Sequence, residues 1–223
     1  MLDLVALASD MTLPQAVLLV VFSIVAILIS LTVHEYAHAL VACKMGDDTP
    51  REAGRLTLNP MKHISLGGLF CFIILGIGWA KPVPINPIRF KKYRTGTRLV
   101  SIAGIIANFA LGLLAAIVYA ILNATIGSGG EVMAYVNILL QYFMMINSAL
   151  VLFNLLPFYP LDGFTFITTF MKAENKYIKF NMKYGQLVLL GIILFTSLFY
   201  LFDMYLSLIY MFIYFPITLL GVL

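Results

Sequence analysis

Charge is what this 223-residue chain has least of: Lys, Arg, Asp and Glu make up 11% of it, against 62% hydrophobic residues. Its mean hydropathy is +1.00. A soluble domain carries about 25% charged residues, so scarcity on this scale excludes an aqueous globular protein and indicates a polytopic membrane protein. Paired cysteines are also missing. Cys43 and Cys71 stand 28 positions apart, which excludes both a CxxC zinc pattern and a disulfide framework; both are expected to pack in the core. Basic residues are absent from most of the chain, because all 14 Lys and Arg fall within 44–98 and 172–183. They occupy short loops between apolar runs, so the pI near 9.0 reflects orientation in a bilayer rather than nucleic-acid binding. A signal-peptidase site, a soluble appendage and a linker long enough to separate domains are not found either, and one membrane-embedded domain over 1–223 is expected.

What is present is a series of apolar runs at 14–43, 64–79, 99–124, 133–157, 185–202 and 204–222. Most reach the length of roughly 17–25 residues that a bilayer-spanning helix needs, whereas 64–79 is marginal. By the positive-inside tendency the two basic stretches belong in the cytoplasm. The N-terminus (Asp3, Asp10), the 125–132 loop and the turn at Asp203 lack basic residues and are expected outside. Residues 64–79 have basic loops on both sides, so a full crossing would invert everything downstream; a re-entrant or partly inserted helix fits better. The expected fold is all-α: about five to six transmembrane helices with a re-entrant or short helix and a small membrane-associated β/loop region. The core spans about 14–172, and a helical hairpin occupies 185–222.

Polar groups interrupt the first run, VFSIVAILISLTVHEYAHALVACKMG. On a helix, His34 and His38 lie on one face at i and i+4, where both imidazoles can bind one zinc ion with Glu35 alongside. Tetrahedral zinc in a catalytic site needs a third protein ligand and an open position. The HExxHxxGxxH pattern does not supply it, since position 41 is Val and position 44 is Lys. Seven of the ten acids, Asp3, Asp10, Asp47, Asp48, Glu52, Glu131 and Glu174, fall in polar loops or termini, and Asp203 reads as a turn residue. Asp162 remains. It stands in FNLLPFYPLDGFTFITTF, where an unpaired carboxylate costs about 2.5–3.5 kcal/mol at mid-bilayer. Pro157 and Pro160 break the helix just before it, which turns a carboxylate inward and frees backbone to line a polar cavity. His34 precedes Lys44 by ten positions and Asp162 precedes Lys172 by ten, so helical spacing puts both roughly 15 Å inside the same boundary.

HEYAH in one long helix and NLLPFYPLDG in a later one resemble the site-2 protease family of intramembrane zinc metalloproteases. RLTLNPMKHISLGG and GWAKPVPINP between them are similar to its compact prokaryotic branch without PDZ or CBS appendages. The resemblance covers most of residues 20–172. It implies one zinc ion per chain held by His34, His38 and Asp162, Glu35 as catalytic base, and Asn154 as a polar residue that holds substrate or the oxyanion. It further implies cleavage of a transmembrane or membrane-tethered protein in a multi-pass cell-membrane enzyme, with the active site toward the cytoplasm and the N-terminus outside. Two positions depart from the family pattern: Ile105 in SIAGIIAN replaces a common proline, and Ser65 in HISLGG replaces a usual aspartate. Neither removes a catalytic group.

The competing reading is a metal or proton transporter that uses the same histidines and Asp162 as a pathway. It calls for repeated halves and acids on several crossings; no internal repeat is evident, and the acids outside loops reduce to Glu35 and Asp162. His63 reads as a satisfied loop histidine, and Asn108 and Asn147 as amides that join helices. In KPVPINP, Pro82 and Pro84 remove donors from one edge of an extended segment, which leaves the N–H groups of Val83 and Ile85 on the other. That edge is expected to pair with an unwound substrate strand.

Overall fold

The computed structural model describes residues 12–68, 70, 80–127 and 129–195, which are mainly helical. Helix α1 (Leu13–Met45) has 33 residues, about 50 Å of helix. At its start the Thr12 N–H donates to Gln15 Oε1 at 3.0 Å, and Pro14 sits in the first turn, where a missing N–H costs nothing. Its end is set by Gly46 at φ 109°, a left-handed position that disfavours other residues. From there the Gly46 and Asp47 N–H groups reach back to the Cys43 and Ala42 carbonyls. The chain continues through α2 (Thr49–Glu52), α3 (Tyr93–Thr125), α4 (Glu131–Leu155), α5 (Asp162–Thr168) and α6 (Lys176–Phe195).

Helices α1, α3 and α4 are long and apolar enough to cross a membrane, and they coincide with three of the expected crossings. The expected hairpin at 185–222 runs past the described residues, and Cys71 and Asp203 also lie outside them. The expected β/loop region contains no strand among the described residues. It has one isolated antiparallel bridge, Ile64 with Ala80, beside a hydrogen bond from the Lys81 N–H to the His63 carbonyl at 2.8 Å. Ile64 and Ala80 are therefore neighbours; residues 69 and 71–79 between them, and with them the expected re-entrant helix, lie outside the described residues.

Packing follows membrane rather than aqueous logic. Apart from Val100 and Ile105, the buried positions of α1 and α3 are small or polar, among them Ala26, Ser30, Ala39, Ala42, Ala103, Gly104, Asn108, Ala115 and Ala116. Large aliphatic residues such as Val17, Val21, Ile29, Ile106, Leu114 and Ile121 face outward. Small residues let helix backbones approach, and amides supply the specific contacts that hydrophobicity does not supply in lipid. Asn147 is such an amide: its Nδ2 donates to Ser30 Oγ at 2.8 Å and joins α4 to α1. Asn123 and Asn137 exchange amide hydrogen bonds of 2.9 and 3.0 Å between α3 and α4.

Beyond α1 a polar platform carries the Pro-rich segment. Asp47, fully buried, accepts from the Thr49 N–H at 3.0 Å and the Asn86 N–H at 2.6 Å, so a residue expected in a polar loop ties residue 86 to the end of α1. Burial alone would raise its pKa. The Thr49 hydroxyl, the Asn86 and Thr49 N–H groups and the Arg89 charge outweigh burial and hold it below the ordinary 3.8. His63 is buried as well; its Nε2–H donates to the Thr57 carbonyl at 2.8 Å, and its Nδ1 has no partner among the described residues. Arg55 donates to the Lys81 carbonyl, which fastens the start of the same segment.

Candidate metal centre

Three elements converge about 16 Å from the C-terminal end of α1, counting eleven residues from His34 to Met45 at 1.5 Å each. His34 and His38, one turn apart and both buried, point their Nε2 atoms at one spot, 3.0 Å from each other. Asp162, first residue of α5, brings its Oδ2 to 3.3 Å from His34 Nε2 and 3.2 Å from His38 Nε2. The two histidines and Asp162, which follows them by 124 and 128 positions in the chain, form a group whose ligand atoms could hold one ion. The three expected ligands meet, although only α1 keeps the helical spacing from which the meeting was expected; α5 ends at Thr168, before Lys172.

The donor set fits zinc by its own geometry. Zinc–ligand bonds of about 2.0–2.1 Å at tetrahedral angles put neighbouring ligand atoms about 3.3 Å apart, against 3.0, 3.3 and 3.2 Å here. Asp162 Oδ2 is buried and faces the two imidazole nitrogens at 3.3 and 3.2 Å, with no other partner among the described residues. The protonation of His38 also suits a ligand. Its Nδ1 lies 2.7 Å from the Val100 carbonyl, which only accepts, so Nδ1 carries the proton and Nε2 of the neutral ring keeps its lone pair.

Local sequence explains how the elements come this close. A Cβ on Gly104 would lie 2.5 Å from His34 Cε1 and 2.6 Å from both His34 Nδ1 and His38 Nε2, so glycine is what lets α3 lie against the histidine face of α1. The absence of a side chain at residue 104, four positions after Val100, also leaves the Val100 carbonyl reachable. On the other side, the turn after Pro157 and Pro160 folds back against the end of α4, and a Cβ on Gly163 would lie 2.4 Å from the Leu155 carbonyl oxygen. Arg98 of α3 secures the far end of α5: its Nε donates to Thr169 Oγ1 at 2.9 Å, and its guanidinium lies 3.9 Å over the Phe170 ring.

The remaining expected site residues are placed differently. Glu35 is half-buried beside the histidines, and its Oε2 accepts the Val83 N–H at 2.9 Å. The edge expected to stand open for a substrate strand is thus engaged at Val83 by the carboxylate of residue 35. Ile85 packs its side chain toward Ala42, Phe90 and Val100. Asn154, half-buried near the end of α4, spends one amide N–H on its own helix, at the Leu150 carbonyl 3.0 Å away. Asn108, read as a helix-joining amide, touches the site directly: its side-chain amide lies 3.1 Å from His34 Nδ1. Gly104 and Asn108 share one face at i and i+4, a signal present in SIAGIIAN for a helix packed on an imidazole pair.

Known proteins agree with this chemistry. The chain is 42% identical over 150 residues to "Putative zinc metalloprotease YwhC" of Bacillus subtilis, a match that covers 66% of this chain and 67% of that protein. It is 34% identical over 158 residues to "Putative zinc metalloprotease Rip2" of Mycobacterium tuberculosis, covering 67% of this chain and 57% of that one. No family model and no solved structure matches. Likeness at this level, across two thirds of a curated relative, shows that the chain belongs to the site-2 protease family of zinc metalloproteases.

Proposed function

We propose that this protein is an intramembrane zinc endopeptidase that hydrolyses peptide bonds in or near a transmembrane segment of another membrane protein. The observation that carries the proposal is the triangle of His34 Nε2, His38 Nε2 and Asp162 Oδ2, with sides of 3.0–3.3 Å, set within helices long and apolar enough to cross a membrane. When bound, one zinc ion supplies Lewis acidity and lowers the pKa of a coordinated water toward about 7. Glu35, half-buried at the same level, takes the proton of the attacking water and delivers it to the leaving amine. Asn154 can turn its amide from Leu150 toward the substrate carbonyl, where it stabilises developing negative charge. An unwound substrate strand pairs along Val83 and Ile85 by displacing Glu35 from the Val83 N–H, because a helical substrate presents carbonyls already hydrogen-bonded within the helix.

The charge pattern supports a multi-pass cell-membrane placement with the site toward the cytoplasm and the N-terminus outside. A transporter reading is less favoured, since Glu35 sits beside the ligands as a base for water, and the one further acid among the described spans, Glu131, stands at the first residue of α4. The test is Glu35→Gln with zinc content and cleavage of a co-expressed single-span substrate measured together. Cleavage is expected to fall about 10²–10⁴-fold with zinc retained; undiminished cleavage would remove Glu35 from its role.

A further inference from the structure

Asn108 does not behave like most of the chain's other helical asparagines, and where Asn137 crosses to a second amide, Asn108 crosses to a candidate metal ligand. Asn123, Asn147, Asn154 and Asn181 each send Nδ2 to the carbonyl four residues earlier, at 2.8–3.3 Å. Asn108 instead turns its amide to His34 Nδ1 at 3.1 Å, across 74 positions of sequence. It is fully buried, and its Oδ1 has no partner among the described residues.

The two orientations of that amide correspond to two tautomers of His34. With Nδ2 toward the ring, Asn108 donates, His34 Nδ1 holds the lone pair, and the ring proton sits on Nε2. That proton then points into the triangle toward His38 Nε2, 3.0 Å away. This tautomer has no lone pair for a metal. A half-turn of the amide exchanges its oxygen and nitrogen at almost no change in shape. Oδ1 then accepts from Nδ1–H, the proton leaves Nε2, and His34 becomes a ligand. His38 has no such choice, because the Val100 carbonyl already fixes its proton on Nδ1.

We infer that Asn108 is a positioning residue that selects the ligand tautomer of His34 by presenting its amide oxygen to Nδ1–H. The inference rests on the zinc reading of the triangle. A metal-bound imidazole gains basicity and a fixed orientation from an acceptor on its other nitrogen, and losing that acceptor lowers metal affinity about 10–100-fold. Gly104 and Asn108 then divide one task on α3: the glycine admits the imidazoles, and the amide sets one of them.

The experiment compares zinc affinity, by competition with a chelator of known affinity, in the full chain and in Asn108→Leu, Asn108→Ala and Asn108→Asp. Thermal unfolding of the zinc-free proteins accompanies it. Leu and Ala remove the acceptor and are expected to weaken zinc binding about 10–100-fold; Ala carries the test should Leu fail to accumulate. Asp keeps an acceptor at the same place and is expected to hold zinc at least as tightly as the parent. A role limited to amide donation would impair Asp along with Leu and Ala, and a role limited to packing would spare Asp and Leu, which are close to Asn in size, and impair Ala alone. Zinc affinity unchanged in the acceptor-less variants, or lost equally in Asn108→Asp, overturns the inference. His34→Ala separates the levels: if zinc binding survives that change, the triangle itself is misread and the inference falls with it.

Discussion

Gly104→Ala adds a single methyl group at the closest approach of two helices. The new Cβ would meet His34 Cε1 at 2.5 Å and His38 Nε2 at 2.6 Å, whereas carbon contacts settle at about 3.5 Å or more. About 1 Å must be found. Metal–ligand distances tolerate about 0.2 Å, so relief cannot come from the imidazoles while they share an ion. Nor can the rings swing aside cheaply, since Val100 and Asn108 hold both from behind. Overpacking of this kind costs about 1–3 kcal/mol. If the zinc-free protein relaxes and the zinc-bound one cannot, the difference appears as a dissociation constant raised about 5- to 140-fold. Purified protein dialysed against graded chelator and assayed for retained zinc reads this directly. Gly112→Ala is the control: on the same helix its Cβ would meet Asn147 Cβ at 3.2 Å, away from the triangle, and affinity should stay within about twofold. Gly104→Ala with the parent's zinc affinity would refute the claim that this glycine admits the metal site.

Three further outcomes follow from the same contacts. Asp47→Ala leaves the Thr49 and Asn86 N–H groups without their buried acceptor and should destabilise the fold by about 1–3 kcal/mol in thermal or denaturant unfolding. The folded pKa of Asp47 lies below 3.8, so its stabilisation is present above that pH and is lost as pH falls through the depressed value; the parent should lose stability below pH 3.8 more steeply than Asp47→Ala. Val83→Pro deletes the donor to Glu35 Oε2 and should lower substrate cleavage about tenfold or more while zinc content is unchanged, a split that loss of fold would not produce. Arg98→Lys keeps the charge but not the fork on Thr169, and because the two cations are not interchangeable at a stacked site it should loosen zinc retention through α5; equal retention would exclude that coupling.

Much of the centre is legible in the chain because its rules are local. Two histidines at i and i+4 need only helical geometry to share a face, and the cost of a carboxylate in an apolar run singles out Asp162 from ten acids without any structure. The three long helices follow from run length. Asn108 joins two helices as expected, but its partner was not legible, because an amide in an apolar helix looks the same whether it meets another amide, as Asn123 does, or an imidazole. Asp47 looked like a solvated loop acid because nothing near it in sequence announces the Asn86 N–H, 39 positions on, that buries it.

The sequence by itself determined the solvent, the helices and the identity of the three donors, since hydropathy, period and desolvation cost act within one segment. Only the tertiary structure decided what stands behind those donors: Val100 and Asn108 setting the imidazoles, Gly104 admitting them, and Val83 occupying Glu35. Each of these contacts joins residues 48 to 74 positions apart, and they arise from how helices of small residues settle against one another, which no single segment's pattern specifies.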